Sequence, residues 1–243
     1  MPAVSGGILV VGGCGLVGHL VAPRLTATRI SPSYSDGDFR YYSFEPDGCS
    51  EERCPWVENI MGDVTDIGQV FMAARSKNAI LFTAMGSMSD PQSLFEVGVR
   101  GWYNCLLAAK EFGIRRVVLI SSVSVYDDYN SVVLESEDRP RNCDDPYGVV
   151  KVLAEDIGKH FAESYGMSVI ALRIAQPKMD LEAVKLRRKG NKWATSDVKL
   201  AEAICAALSI EHTGFDAIHI CQHPDREKVN MEKAKRVLGW EPA

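Results

Sequence analysis

GGCGLVGH, residues 12–19, follows directly on the apolar run ILVV at Ile8–Val11. An apolar strand that stops at glycines and hands over to a helical pattern decides how this chain folds. Gly12 permits a tight exit from the strand, Gly15 lets a backbone approach a pyrophosphate, and Gly18 lets the new helix pack closely on the strand. The N-terminus of that helix offers N–H groups without intrahelical partners and a partial positive charge. The competing reading is a plain strand–helix turn. A turn that closes the first strand and opens the first helix favours a dinucleotide site.

Outward from the turn, short apolar runs alternate with longer helical patterns. Val17–Thr26 reads as a helix, although Pro23 inside it removes a backbone bond. FRYYSFE (Phe39–Glu45), VENIM (Val57–Met61), AILFTAM (Ala79–Met85) and RRVVLISS (Arg115–Ser122) read as strands. Between the last two lies FEVGVRGWYNCLLAAKEFG, whose Val99, Tyr103, Leu106 and Leu107 form a helical stripe that Gly113 stops. YGVVKVLAEDIGKHFAESYG (Tyr147–Gly166) carries Leu153, Ile157 and Phe161 on one face. SVIALRI (Ser168–Ile174) is a strand. A helix around Ala201, Ile204 and Leu208, a strand AIHIC and a short helix near Ala234 complete the chain. Such alternation predicts an α/β fold, a doubly wound parallel sheet of the Rossmann type, with residues 1–243 as one NAD(P)-binding domain.

With 243 residues, 46% hydrophobic, the chain can bury one sizeable core. A net charge of −5 speaks against nucleic-acid or anionic-membrane partners. Seven cysteines, an odd number, read as free thiols in a reducing compartment. GGILVVGG is too short to span a bilayer and no basic leader precedes it, so the expectation is a soluble, cytoplasmic protein.

A carboxylate at the end of the second strand would bind the adenosine ribose. Asp36 has the usual spacing, but Pro32 spoils its strand. Glu45 ends the better strand and is preferred. Either carboxylate repels a 2′-phosphate, which favours NAD over NADP; Arg40 is the residue that opposes this. Asp63, in GDVTD, stands where it could accept a bond from the adenine amine or merely cap a loop.

SSVSVY closes the fifth strand and DPYGVVK opens the next helix. Tyr147 and Lys151, four apart, share one helical face. A base is needed to take the hydroxyl proton when a hydride leaves an alcohol carbon. Moving a phenol from a pKa of about 10 to about 7 requires roughly 4 kcal/mol, which a nearby ammonium and a cationic nicotinamide can supply. A serine hydroxyl can bond the reacting oxygen.

With these pieces, and with ALRI, WATSDVKLAEAI and LGWEP further on, nearly the whole chain resembles the short-chain dehydrogenase/reductase superfamily, in its extended, NAD-dependent epimerase/dehydratase-like branch. The resemblance implies that Tyr147 is the acid/base, Lys151 its partner and Ser122 the hydroxyl facing the substrate. Ser121 and Ser124 become neighbours, the former on the cofactor side and the latter on the substrate side. It also assigns Leu16, Val17, Val64, Thr83, Ala84 and Met85 to the cofactor, beside the glycines, Glu45 and Asp63. It implies a homodimer through the helices that begin near Val99 and Tyr147.

The chain departs from that family in several places. Gly98 stands where an asparagine is common, and Asp127 where a glycine is. No Asp-Glu pair follows Ser122, so the acid and base of sugar dehydratases are missing. Only some twenty residues separate ALRIAQP from WATSDV, where nucleotide-sugar epimerases place a long substrate insertion. The substrate region, expected at about 175–197 and 210–243, is thus much reduced, as in short relatives that oxidise free uronic acids. Arg173, Arg187, Arg188 and Trp193 are candidates to hold the substrate, with Met179 beside them. His219, Cys221 and His223 alternate on a strand, but no second ligand cluster accompanies them, so no metal site is expected.

Three functions compete. The first is an NAD-dependent oxidoreductase acting on a small sugar or sugar acid. The second is an epimerase with tightly held NAD. The third is a non-catalytic dinucleotide sensor or scaffold.

Overall fold

A computed structural model of the chain describes residues 7–27, 41–45, 58–129, 131–178, 194–221 and 228–242. Strands β1 (Gly7–Val11), β2 (Tyr41–Glu45), β3 (Glu58–Met61), β4 (Lys77–Phe82), β5 (Arg116–Ser122), β6 (Ser168–Ile174) and β9 (Gly214–Ile220) form one sheet. A separate pair joins β7 (Pro177–Lys178) to β8 (Thr195–Ser196). The main sheet has the order β3-β2-β1-β4-β5-β6-β9, and every pairing is parallel.

Parallel pairing forces crossovers, so helices cover both faces and the strands must be apolar on both sides. Alternation along each strand divides them. Ile8, Val10, Val118, Ile120, Ile170 and Leu172 pack with Val21 of α1 (Leu16–Ala27) and with Leu200, Ile204 and Leu208 of α6 (Asp197–Ser209). Leu9, Val11, Val117, Leu119, Val169 and Ala171 face the other way. They meet Val70 of α2 (Ile67–Ala74), Trp102 and Leu106 of α4 (Trp102–Glu111) and Phe161 of α5 (Pro146–Tyr165). Each fully buried aliphatic or aromatic side chain contributes about 1.5–3 kcal/mol, which makes this two-sided core the source of the fold's stability. The short α7 (Glu232–Leu238) adds Ala234 and Leu238 to the first face.

The expected strands and long helices are observed with small shifts at their ends, and α1 runs through Pro23. The helix expected from Phe95 to Gly113 is compound. It begins as α3 (Pro91–Phe95), widens into a π-helical segment over Glu96–Gly101, and continues as α4. Gly113 ends it in a left-handed conformation. The sequence patterns did not reveal α2, α3 or the β7–β8 pair.

The expectation of seven free thiols is corrected at Cys14, which is disulfide-bonded; Cys105, Cys143, Cys205 and Cys221 are free. Among the described residues, no helix is long and apolar enough to cross a membrane. No group of three metal-ligating side chains occurs among them.

Candidate active site

The strand order reverses between β1 and β4, so their carboxyl ends diverge and leave a crevice. A cleft of about 790 Å³ lies there. The glycine turn forms one wall, and its glycines are required for different reasons. Gly12 has φ +83°, and an added Cβ would lie 2.5 Å from the Ala84 Cα. Gly18 is closed by packing, since a Cβ would lie 2.1 Å from the Gly13 carbonyl oxygen. At Gly15 the same Cβ would meet only the Gly12 carbonyl oxygen, at 3.1 Å. The missing side chain at Gly15 therefore leaves space in the cleft wall beside the N-terminus of α1, the room and polarity a pyrophosphate needs. Thr83 locks the opposite strand end in place, its Oγ1 donating to the carbonyls of Val11 and Gly12 at 3.0 and 2.8 Å.

Of the expected cofactor residues, Gly12, Gly15, Leu16, Val17, Asp63, Val64, Thr83, Ala84 and Met85 all line this cleft. One Asp63 oxygen accepts from the Thr65 N–H and hydroxyl at 2.8 and 2.9 Å, so the turn holds this carboxylate in place. Glu45 is the last residue of β2, paired in register with Met61. Its side chain lies outside the described residues, as do Asp36, Arg40, Met179, Arg187, Arg188, Trp193 and His223.

The facing wall comes from β5 and α5. Asp145 caps α5 by accepting from the N–H groups of Tyr147 and Gly148, both at 3.0 Å, and Pro146 occupies the first turn. A Cβ at Gly148 would lie 2.4 Å from the Ser124 carbonyl oxygen. Glycine there lets α5 approach the end of β5, which brings the Tyr147 hydroxyl into a hydrogen bond with Ser122. Ser122 also accepts from the Ser124 N–H at 3.1 Å. Lys151, one turn on, donates to the Ile120 carbonyl at 2.8 Å, and its Nζ lies 5.5 Å from the centre of the Tyr147 ring. Ser122, Ser124, Tyr147 and Lys151 all line the cleft.

Burial raises the Tyr147 phenol above its ordinary pKa, while the Ser122 hydrogen bond pulls it down. Lys151 adds nothing to that lowering, because its ammonium is bonded to the Ile120 carbonyl rather than turned to the phenol oxygen. Burial also lowers the Lys151 pKa to about 8, against an opposing pull from Glu155.

Two expectations are corrected. Arg173 is not at the cleft. It is 3% exposed and forms a bidentate ion pair with Glu155, Nε to Oε1 at 2.9 Å and Nη2 to Oε2 at 2.7 Å. It also donates to the Tyr126 hydroxyl and to the Glu137 carbonyl. The strand places it so: Arg173 and Ile174 point to opposite faces, and Ile174 takes the cleft side. Ser121 is likewise turned away from the cofactor side, its Oγ donating to Glu155 at 2.7 Å.

Sequence reasoning missed Tyr129 and Gln176, which line the cleft. Gln176 leaves β6 at φ +33°, a conformation that side chains rarely adopt. It also missed Glu155, although the i, i+4, i+8 spacing of Tyr147, Lys151 and Glu155 was there to be read. His219 is buried, held neutral with a pKa lowered to about 3, and Cys221 is buried beside it in the chain.

A parallel sheet with a glycine turn at its switch point defines a dinucleotide-binding Rossmann protein. Residues 8–177 match the NAD dependent epimerase/dehydratase family, and the chain belongs to it. It is similar to UDP-glucose 4-epimerase of Lacticaseibacillus casei, 28% identical over 174 residues, covering 68% of this chain and 50% of the epimerase. It thus spans about half the length of that relative. L-arabinose 1-dehydrogenase (NAD(P)(+)) of Haloferax volcanii is 25% identical over 210 residues, covering 76% of this chain and 82% of that enzyme. In fold it resembles a short-chain dehydrogenase/reductase superfamily protein of Agrobacterium tumefaciens solved with NAD bound. There the TM-score is 0.74 at 18% identity, covering 98% of this chain and 92% of that one.

Proposed function

We propose that the protein is an NAD-dependent oxidoreductase that moves a hydride between nicotinamide and a secondary alcohol or carbonyl of a small sugar or sugar acid. The convergence of Ser122, Tyr147 and Lys151 on the wall facing the glycine turn carries this reading. NAD, when bound, supplies the hydride acceptor. The Tyr147 phenolate takes the hydroxyl proton, and Ser122 donates a hydrogen bond to the reacting oxygen. Lys151 as ammonium favours the phenolate and holds the cofactor ribose. Asp63, Val64 and Thr83–Met85 hold the adenosine half, and Glu45 at the end of β2 reads its ribose and sets a preference for NAD.

Residues 1–243 act as one domain in this reading. Ser124, Tyr129 and Gln176 form the described part of its substrate side, with Arg187, Arg188 and Trp193 in the reduced region. No described residue of 210–243 lines the cleft. The protein works as a cytoplasmic homodimer. Tyr103 on α4 and Leu153 on α5 are 44% and 36% exposed, on faces suited to a four-helix interface.

The similarity to an epimerase favours a second reading, in which NAD stays bound while one carbon is oxidised and reduced again. The short substrate region weighs against nucleotide sugars for it. A sensor would not need the Ser122–Tyr147–Lys151 set. One experiment separates the three: a panel of aldoses, uronic acids and secondary alcohols with NAD and NADP, followed at the nicotinamide absorbance and by product chromatography. Accumulating NADH supports the dehydrogenase. An isomeric product without net NADH supports the epimerase, and binding without substrate-dependent reduction leaves the sensor.

A further inference from the structure

Tyr147, Lys151 and Glu155 form one stripe along α5, with the first two at the cleft and the third one turn deeper. Glu155 is 1% exposed, yet all its bonds are made. Oε1 accepts from Ser121 and from the Arg173 Nε; Oε2 accepts from the Arg173 Nη2 and, at 3.4 Å, from Arg141. The carboxylate thereby ties α5 to β5 and β6 just beneath the catalytic residues.

A buried ion pair contributes little to stability, because desolvation cancels much of the attraction, and an apolar pair of similar volume often serves as well. Its geometry here has two consequences. By holding Ser121 on the far face of β5, Glu155 fixes the strand end from which Ser122 points to the cleft. By standing one turn below Lys151, it is the carboxylate that opposes the loss of the lysine's proton on burial. The groups bonded to Lys151 or linked through Glu155 and Arg173 do not do this. Tyr147 and Ser121 are neutral, Ile120 offers a carbonyl, and Arg173 and Arg141 are cations. Tyr126, with a pKa raised to about 12, and His219 are neutral as well.

We propose that Glu155, held by Arg173, is a positioning residue for the reaction, keeping Lys151 charged beneath the cofactor and Ser122 aligned. This rests on the dehydrogenase reading only in that Lys151 must face bound NAD.

The test is NAD affinity against pH, measured by titration calorimetry without substrate. In the wild-type protein, affinity should fall as pH rises through the Lys151 pKa, and Lys151→Met should remove that step. Glu155→Gln should move the midpoint down by about one pH unit, the scale on which an adjacent opposite charge acts. Because Glu155→Gln leaves Arg173 buried without its partner, the deciding variant is Glu155→Met with Arg173→Met, apolar on both sides. A lowered midpoint in that folded double variant supports the proposal. A midpoint superimposable on wild type overturns it and leaves Glu155 as structural filling. Absence of NAD binding in the wild-type protein would instead overturn the functional reading itself.

Discussion

Gly98 sits in the π-helical segment, facing α5, and a Cβ added there would lie 2.4 Å from Cγ1 of Val150. Gly98→Ala ought to stabilise an ordinary helix by up to about 1 kcal/mol. Here the methyl has nowhere to go. Val150 is buried at 2% exposure and β-branched, so its rotamer is nearly fixed in a helix. It can yield only if α5 and the π segment separate. Overpacking of this kind costs about 1–3 kcal/mol. Set against a propensity gain of about 1 kcal/mol, the expected net loss is about 0–2 kcal/mol, at most roughly 8 °C in Tm for a chain of this length. Urea denaturation of Gly98→Ala, of Val150→Ala and of the double variant gives the coupling energy directly. The two changes should compensate, with a favourable coupling of about 0.5–3 kcal/mol. A stabilising Gly98→Ala, or additivity of the two variants, would refute the steric account. If it holds, the glycine is there because Val150 takes the space. A larger side chain such as asparagine would then fit at position 98 only after Val150 is trimmed.

Tyr147→Phe should leave NAD binding nearly intact and reduce turnover by about two to four orders of magnitude. Wild-type oxidation should rise with pH as the phenol ionises; the variant should lack that rising limb, and full activity on a verified substrate would sink the mechanism. Gly15→Val should abolish NAD binding in calorimetry while circular dichroism stays unchanged, since an added Cβ there lies in the cleft wall and meets only the Gly12 carbonyl oxygen, at 3.1 Å. Glu45→Ser should weaken NAD and improve NADP relative to it; a wild-type preference for NADP would show the ribose carboxylate to be misassigned. Light scattering at micromolar concentration should give the mass of a dimer, and a monomer mass would contradict the α4–α5 interface.

Much of the fold was legible because its signals are local. The stripe of Val99, Tyr103 and Leu106 marked a helix but not its buried face, which runs through Trp102, Cys105 and Leu106 while Tyr103 is 44% exposed. Apolar runs of strand length and the glycines at 12, 15 and 18 need no knowledge of distant residues. The same holds for the α5 cap, where Asp145 and Pro146 announce the helix that carries Tyr147. The five-residue α3 escaped because it shows too few turns for its period to stand out. The π segment escaped as well: the neighbours that crowd its glycines, Val150 at Gly98 and Val64 at Gly101, stand 52 and 37 positions away in the chain.

The sequence by itself determined which residue types could do chemistry and on which elements they ride: Ser122 at a strand end, Tyr147 and Lys151 one turn apart on a helix. Only the tertiary structure decided which way each side chain faces. Neighbouring residues on a strand point to opposite sides, so Ser122 reaches the cleft while Ser121 reaches Glu155, and Ile174 takes the position that Arg173 was expected to fill. Arg173 reads in the sequence as a free cation after an apolar strand. In the fold it is the partner of Glu155, 18 positions before it, because a buried charge must find its opposite wherever the packing of α5 on β6 brings one.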